Sequence, residues 1–346
     1  MSMKFLQKLR RSSNFNTILI LVAMCVILSV TVGEKFLTVS NITNVIRQFS
    51  FNALIAFGML LVIITGGIDL SVGSVFAFSG IITCMSITKW GCPVWAGIIL
   101  GLLAGAVFGY LNGCLITMLK LPPFIATLGT MSIARGLSYG ITGGYPIGSL
   151  PDSFKFIGLG MVPSSGPIRI PTPIILMAVF ALFFSFFLKR TIQGRRIYAI
   201  GGNEEATRIS GVRVDRVKRL VYTLCGLMAA ISGIATAARL GVGQSTAGQG
   251  YEMDAIAAVI IGGASVAGGS GTVTGVIIGA AIMGVLNNGL VLLNVSAYWQ
   301  QAVLGVVIVA AVSFDKLQSA RKARNAPLLS TKLFRKGKNN HKRNKL

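Results

Sequence analysis

The sequence predicts an all-α, polytopic membrane protein on three observations: long uncharged apolar runs, little charge elsewhere, and basic residues gathered into three clusters. Hydrophobic residues make up 53% of the 346 and charged residues 12%, against about 25% charge in a soluble domain. A helix needs roughly 20 residues to cross about 30 Å of hydrocarbon. Uncharged runs of that order cover Ser12 to Gly33, Gln48 to Ile68, Leu70 to Thr88, Trp90 to Leu119, Ile170 to Leu188 and Leu220 to Ala238. Ala255 to Phe314 is a further 60 residues without a charge. The 42 glycines are compatible with spanning helices, where small residues let backbones approach.

The charge distribution orders the elements. Of 32 Lys and Arg, four fall in Lys4–Arg11, nine in Lys189–Arg219 and eleven in Lys316–Lys345. Basic clusters beside apolar runs follow the positive-inside rule, so all three belong on the cytoplasmic side. The same clustering argues against reading the net charge of +23 as a nucleic-acid surface. Even numbers of spans must separate the clusters. Between Arg11 and Lys189 they fit at 14–33, 49–67, 70–88, 93–118, 123–142 and 170–188. The fifth is the weakest, interrupted by Arg135 and thinned by Gly136, Gly140, Gly143 and Gly144. Between Arg219 and Lys316 they fit at 220–240, 252–266, 272–293 and 298–314, with breaks at Gly262–Gly271 and Asn294–Ala297. The expectation is about ten spans with both termini cytoplasmic.

This gives a basic N-terminal segment over 1–13, a transmembrane unit over 14–315 and a basic tail over 316–346. The tail is expected to be disordered and in reach of anionic membrane lipid. The first apolar run is long and no A-x-A-like site follows it, so it reads as an uncleaved span. Segment 143–169, rich in Gly and Pro, is expected outside, with a short helix. Gly97 and Gly101 ahead of Asn112-Gly113 repeat in Gly275 and Gly279 ahead of Asn288-Gly289, which hints at two related halves. The five cysteines are scattered, without metal-ligand spacing or a disulfide framework.

The cytoplasmic segment 189–219 is longer than a connection needs. Within it, Asn203 is placed to cap a short helix, Glu204 and Glu205 fall in its first turn where the macrodipole favours acids, and Gly211 is a stop. A short capped helix outside the membrane suits docking to a soluble partner. Among the spans, Asp69 stands out as an ionisable group between apolar stretches. It reads as a cap of the third span with Ser71 and Ser74, as a cytoplasmic gate, or as a substrate contact. Asn52, Asn112, Asn287 and Asn288 read either as pathway groups or as hydrogen bonds between helices. Glu252 and Asp254 are expected at the external start of the eighth span, favoured there by the helix dipole or facing a basic patch on an external protein. There is no G-x-x-x-x-G-K-[ST] loop and no H-E-x-x-H, and the single His341 lies in the tail.

Glu205-Ala206-Thr207, then three residues and Gly211, resembles the EAA loop of ABC-transporter permeases, with Thr207 departing from its second alanine. Gly194–Asn203, Gly66–Ser74, Pro123–Gly129, Thr246–Val259 and Leu286–Leu290 are similar to segments of ribose-type monosaccharide permeases, over about residues 36 to 315. The resemblance implies a type II permease of the vitamin-B12-importer shape in a bacterial inner membrane, paired with a second permease subunit. It implies a separate cytoplasmic ATPase holding ATP and Mg, with no cofactor in this chain, and an extracytoplasmic sugar-binding protein. The coupling role then falls on Gly202, Asn203, Glu204, Glu205, Ala206 and Gly211, and Asp69, Ser71, Asn112 and Asn288 are gate or pathway candidates. A secondary transporter would instead need coupling-ion sites, and intramembrane acids are nearly absent.

Overall fold

A computed structural model describes residues 15–163 and 169–325. A helix stands at each predicted span: α1 (Phe15–Val32), α3 (Val39–Ile64), α4 (Val72–Thr88), α5 (Val94–Thr117), α6 (Pro123–Thr142), α8 (Thr172–Arg190), α11 (Val214–Leu240), α12 (Tyr251–Ile261), α13 (Val273–Leu292) and α14 (Ala297–Asn325). Between them lie the short helices α2 (Glu34–Leu37), α7 (Asp152–Leu159), α9 (Ile192–Gly202) and α10 (Glu204–Ile209). The small antiparallel pair β1 (Met161–Val162) and β2 (Ile170–Pro171) closes the loop after α7. Five helices, α3, α5, α8, α11 and α13, are long and apolar enough to cross a membrane. The chain is thus a predominantly helical, multi-pass membrane protein.

The centre is the antiparallel pair α3 and α11. Every residue of α3 from Ser50 to Ile64 is buried, as expected for a helix apolar all round. Gly58 fits against the Cys225 backbone, and Ser232 Oγ donates to the Phe51 carbonyl at 2.8 Å. Around this core, α5 lies on α4 and α11, while α13 lies on α12 and α3. Glycine spacing explains the closeness. Gly101, Gly105, Gly109 and Gly113 form an i+4 stripe on α5, and a methyl group at any of them would overlap a neighbouring helix. Gly275 and Gly279 do the same for α13 against Gly262 and Ala258. The fourth and ninth predicted spans thus both pack closely on their neighbours through spaced glycines. Large apolar side chains point outward from the bundle, among them Val30, Trp95, Leu103, Val107, Leu182, Phe186 and Val306, the inverse of a soluble surface and suited to lipid.

Three features differ from the expectation. The segment 189–219 holds two helices, α9 and α10, rather than one. The eighth span is only the 11-residue α12, about 16 Å long and too short to cross alone. Its N-terminus lies inside the bundle: the Tyr251 ring packs edge-on against Phe76, centroids 5.1 Å apart. The non-helical residues 241–250 lead into it, and residues 65–71 lead into α4 in the same way. Finally, α14 runs on to Asn325, past the expected start of the tail. The basic segment 1–13 and the tail beyond 325, including His341, lie outside the described residues.

Candidate functional site

The first polar cluster surrounds Asp69. Gly66 takes a left-handed φ of 76°, ending α3 and turning the chain inward. Asp69 Oδ1 then accepts from Ser71 N at 2.9 Å and from Ser71 Oγ at 2.6 Å, a local turn that starts α4. Asn112 Nδ2 on α5 donates to Ser71 Oγ at 2.8 Å, and Thr130 Oγ1 on α6 donates to Asn112 Oδ1 at 2.5 Å. The Cys225 thiol on α11 faces the carboxyl group. All of these residues are buried. Oδ2 of Asp69 has no hydrogen-bond partner among the described residues, a costly arrangement for a buried carboxyl oxygen. Three sequence candidates, Asp69, Ser71 and Asn112, thus form one network across three helices. Ser74 stands outside it, on the cavity described next. Asn288 is elsewhere: it exchanges hydrogen bonds with Asn41 at 3.1 and 2.8 Å, tying α13 to the first turn of α3.

A cavity of about 460 Å³ lies where the first turn of α4, the middle of α6 and the N-terminus of α12 meet. Its walls include Ser74, Ser132, Arg135, Tyr139, Gln249 and Glu252. Gly73 makes the meeting possible, because a Cβ there would overlap the Gly248 carbonyl and the Glu252 carboxylate. Arg135 Nη1 donates to the carbonyls of Ser245 and Ala247, the latter at 2.8 Å, and so holds the non-helical stretch in place. Asp254 is buried beside Asn52 and Asn287, with Oδ1 unpartnered among the described residues. The expected acidic pair is thus not on an outer surface: Asp254 is enclosed and Glu252 faces the cavity. The sequence signal was a lone Arg135 in the weakest span. Its anchors and Gln249 could not be read without knowing that 241–250 turns inward.

The third region is the segment 189–219, expected on the cytoplasmic side. Asn203 Oδ1 accepts from Ala206 N at 2.9 Å and caps α10 as the sequence predicts. Gly211 follows the helix with φ of 85°, a conformation that favours glycine. Glu204 binds Lys218 Nζ at 2.6 Å, and Arg208 bridges Glu204 at 3.3 Å and Asp215 at 3.0 Å. The hydrogen bond with Asp215 raises the Arg208 pKa above its ordinary value. Two of these pairs, Glu204 with Lys218 and Arg208 with Asp215, strap α10 to the start of α11. Gly202, Asn203, Glu205, Ala206 and Gly211 face outward. Ile209, which sequence reasoning did not single out, is 78% exposed at the end of the helix. On the inner side, Gly201 sits against the Ile64 carbonyl and Gly269 N, with no room for a methyl group. Gly269 N also donates to that carbonyl at 2.9 Å, and Tyr198 Oη donates to Gly271 O at 2.8 Å. The segment is therefore seated directly on the end of α3 and on the turn between α12 and α13.

Among the described residues, no group of three or more His, Cys, Asp or Glu gathers as a metal site. The arrangement offers a polar pocket on an apolar, multi-pass bundle and a capped helix seated on one rim. Those features fit the class of membrane transport proteins.

Comparison with known proteins makes the class particular. Residues 41–312 match the family described as branched-chain amino acid transport system / permease component, and the chain belongs to this family. It is 44% identical over 301 residues to the ribose import permease of Escherichia coli (strain K12), covering 85% of this chain and 92% of that one. It is 46% identical over 295 residues to the ribose import permease of Bacillus subtilis (strain 168), covering 85% and 90%. It is 39% identical over 305 residues to the D-allose transport system permease of E. coli (strain K12), covering 88% and 92%. No solved structure is a significant match.

Proposed function

We propose that this chain is the membrane-spanning permease of an ATP-driven importer that carries ribose or a related monosaccharide across a bacterial inner membrane. The observation that carries this reading is the likeness to ribose import permeases along 85% of the chain. The cavity chemistry supports it. A neutral, hydroxyl-rich substrate needs amides, hydroxyls and an aromatic face rather than one deep charge. In this reading the chain crosses about ten times in the type II arrangement, with α9, α10 and both termini cytoplasmic. The α10 surface, with Glu205, Ala206 and Ile209 outward, docks into a separate ATPase that holds ATP and Mg. The seat of Gly201 on α3 passes its motion inward. A sugar-binding protein delivers substrate on the other face. The outward apolar face of α6, with Phe124, Leu128, Ile133 and Leu137, meets a second permease subunit.

The test is uptake into vesicles that hold the chain with its ATPase and binding protein. D-ribose should enter with ATP and should be indifferent to an uncoupler, with D-allose and D-xylose as competitors. Uptake that survives loss of ATP but stops with an uncoupler would overturn the importer reading.

A further inference from the structure

We propose that the cavity between α4, α6 and α12 is a monosaccharide subsite of the permease itself, with Arg135, Gln249 and Glu252 as its hydroxyl-binding groups and Tyr139 as its ring-stacking face. The inference rests on the reading of the chain as a sugar permease and adds where the sugar stops on its way through.

Four observations carry it. The volume of about 460 Å³ is in the range of small-molecule sites, which runs from roughly 300 to 1,000 Å³. Two helices begin at the cavity, α4 and α12, and both begin inside the bundle. Substrate sites in transporters form where such interrupted helices meet. The formal charges are opposed: Arg135 and Glu252 share the cavity and attract one another. A neutral polyol suits that balance better than an ion, because each hydroxyl can donate to Glu252 and accept from Arg135. Gln249 supplies one acceptor and two donor hydrogens.

The fourth observation concerns Arg135 directly. Its Nη1 is occupied by the carbonyls of Ser245 and Ala247. That fixes the guanidinium plane while Nε and Nη2 make no hydrogen bond among the described residues. A guanidinium has five N–H donors, so about three of the five stay available to a ligand or to water. Tyr139 is 39% exposed beside it, and an aromatic face is the ordinary partner for the C–H face of a sugar ring.

Thiol protection tests the site. Cys25, Cys92 and Cys114 are only partly buried, whereas Cys84 and Cys225 are enclosed. The background therefore carries the first three as Ser, and the reporters are Ser132→Cys and, should that variant fail to insert, Met131→Cys. A small methanethiosulfonate reagent should label the reporter. D-ribose well above its dissociation constant should slow labelling on the order of fivefold, in proportion to the free fraction. Betaine at equal osmolarity, which has no hydroxyls, should not slow it. Glu252→Gln and Gln249→Ala should remove the protection while leaving the labelling rate without sugar unchanged, a readout that a structural role would not give. An unreactive reporter, or protection that survives both substitutions, overturns the subsite. If wild-type vesicles import D-ribose with ATP but the sugar gives no protection, the subsite alone is wrong. If they import none, the importer reading fails first.

Discussion

Ser71 explains how a carboxyl group can sit at position 69. It supplies both a backbone N–H and a hydroxyl to one oxygen, while Asn112 and Thr130 complete the chain of donors. Removing the carboxyl leaves the buried Ser71 N–H and hydroxyl without their acceptor, at about 1–3 kcal/mol. Asp69→Ala should therefore lower the thermal stability of the detergent-solubilised protein by about that much, whereas Asp69→Asn keeps an acceptor at Oδ1 and should cost less than about 1 kcal/mol. Transport separates cap from gate. If the charge itself acts at the start of α4, Asp69→Asn should be stable yet slow in uptake, with sugar affinity of the binding protein unchanged. Uptake at the wild-type rate would leave Asp69 as a cap and nothing more. The presence of an unusual residue here was legible from the sequence. Its surroundings were not, because Cys225 meets it and Thr130 meets Asn112 only through packing of α11 and α6.

The helix α10 is six residues long, too short to persist alone, so its attachments decide its shape. Asn203 caps one end, two ion pairs strap it to α11, and a third, Glu204 with Arg208, lies within it. Exposed ion pairs contribute little singly and weaken with salt, which leaves the cap as the larger local element. Asn203→Ala should weaken the helix by about 1 kcal/mol and reduce ATPase capture in part. Ile209→Asp should abolish capture outright by placing a charge where an apolar group meets the groove, with membrane insertion intact. Co-purification of the ATPase with each variant reads both effects, and full capture by Ile209→Asp would remove α10 as the docking element. The capped helix could be read from Asn203-Glu204-Glu205 and Gly211. The preceding α9 could not: Gly194, Gly201 and Gly202 are poor helix formers, and the first two are helical because only glycine fits against the Leu188, Ile64 and Gly269 backbones.

Taken together, the two halves cross the bundle in an unusual way that bears on how many times the chain spans the membrane. Hydropathy locates apolar runs, but it cannot tell a continuous helix from an inward-turning strand of chain followed by a half-length helix. Residues 65–71 turn inward ahead of the 17-residue α4, and residues 241–250 turn inward ahead of the half-length α12; left-handed glycines mark both breaks: Gly66 at 76°, Gly248 at 70° and Gly250 at 82°. On one rim lie the end of α3, Gly201 and the turn at Gly269. On the other, Ile147 and Gly243 pair as a bridge, and Gly158 sits on the end of α11. Residues 241–261 must then pass from the second rim to the first, although α12 supplies only about 16 Å of helix. If that passage counts as a crossing, cysteines on opposite rims will differ in access. In the same background free of Cys25, Cys92 and Cys114, an impermeant thiol reagent added to intact cells should label Lys155→Cys. It should reach Ser210→Cys and Ala267→Cys, both at exposed positions, only after permeabilisation. Labelling of Ala267→Cys from outside, with Ser210→Cys still protected, would mean that α12 turns back, that the chain crosses fewer than about ten times, and that the count from charge parity fails at this helix.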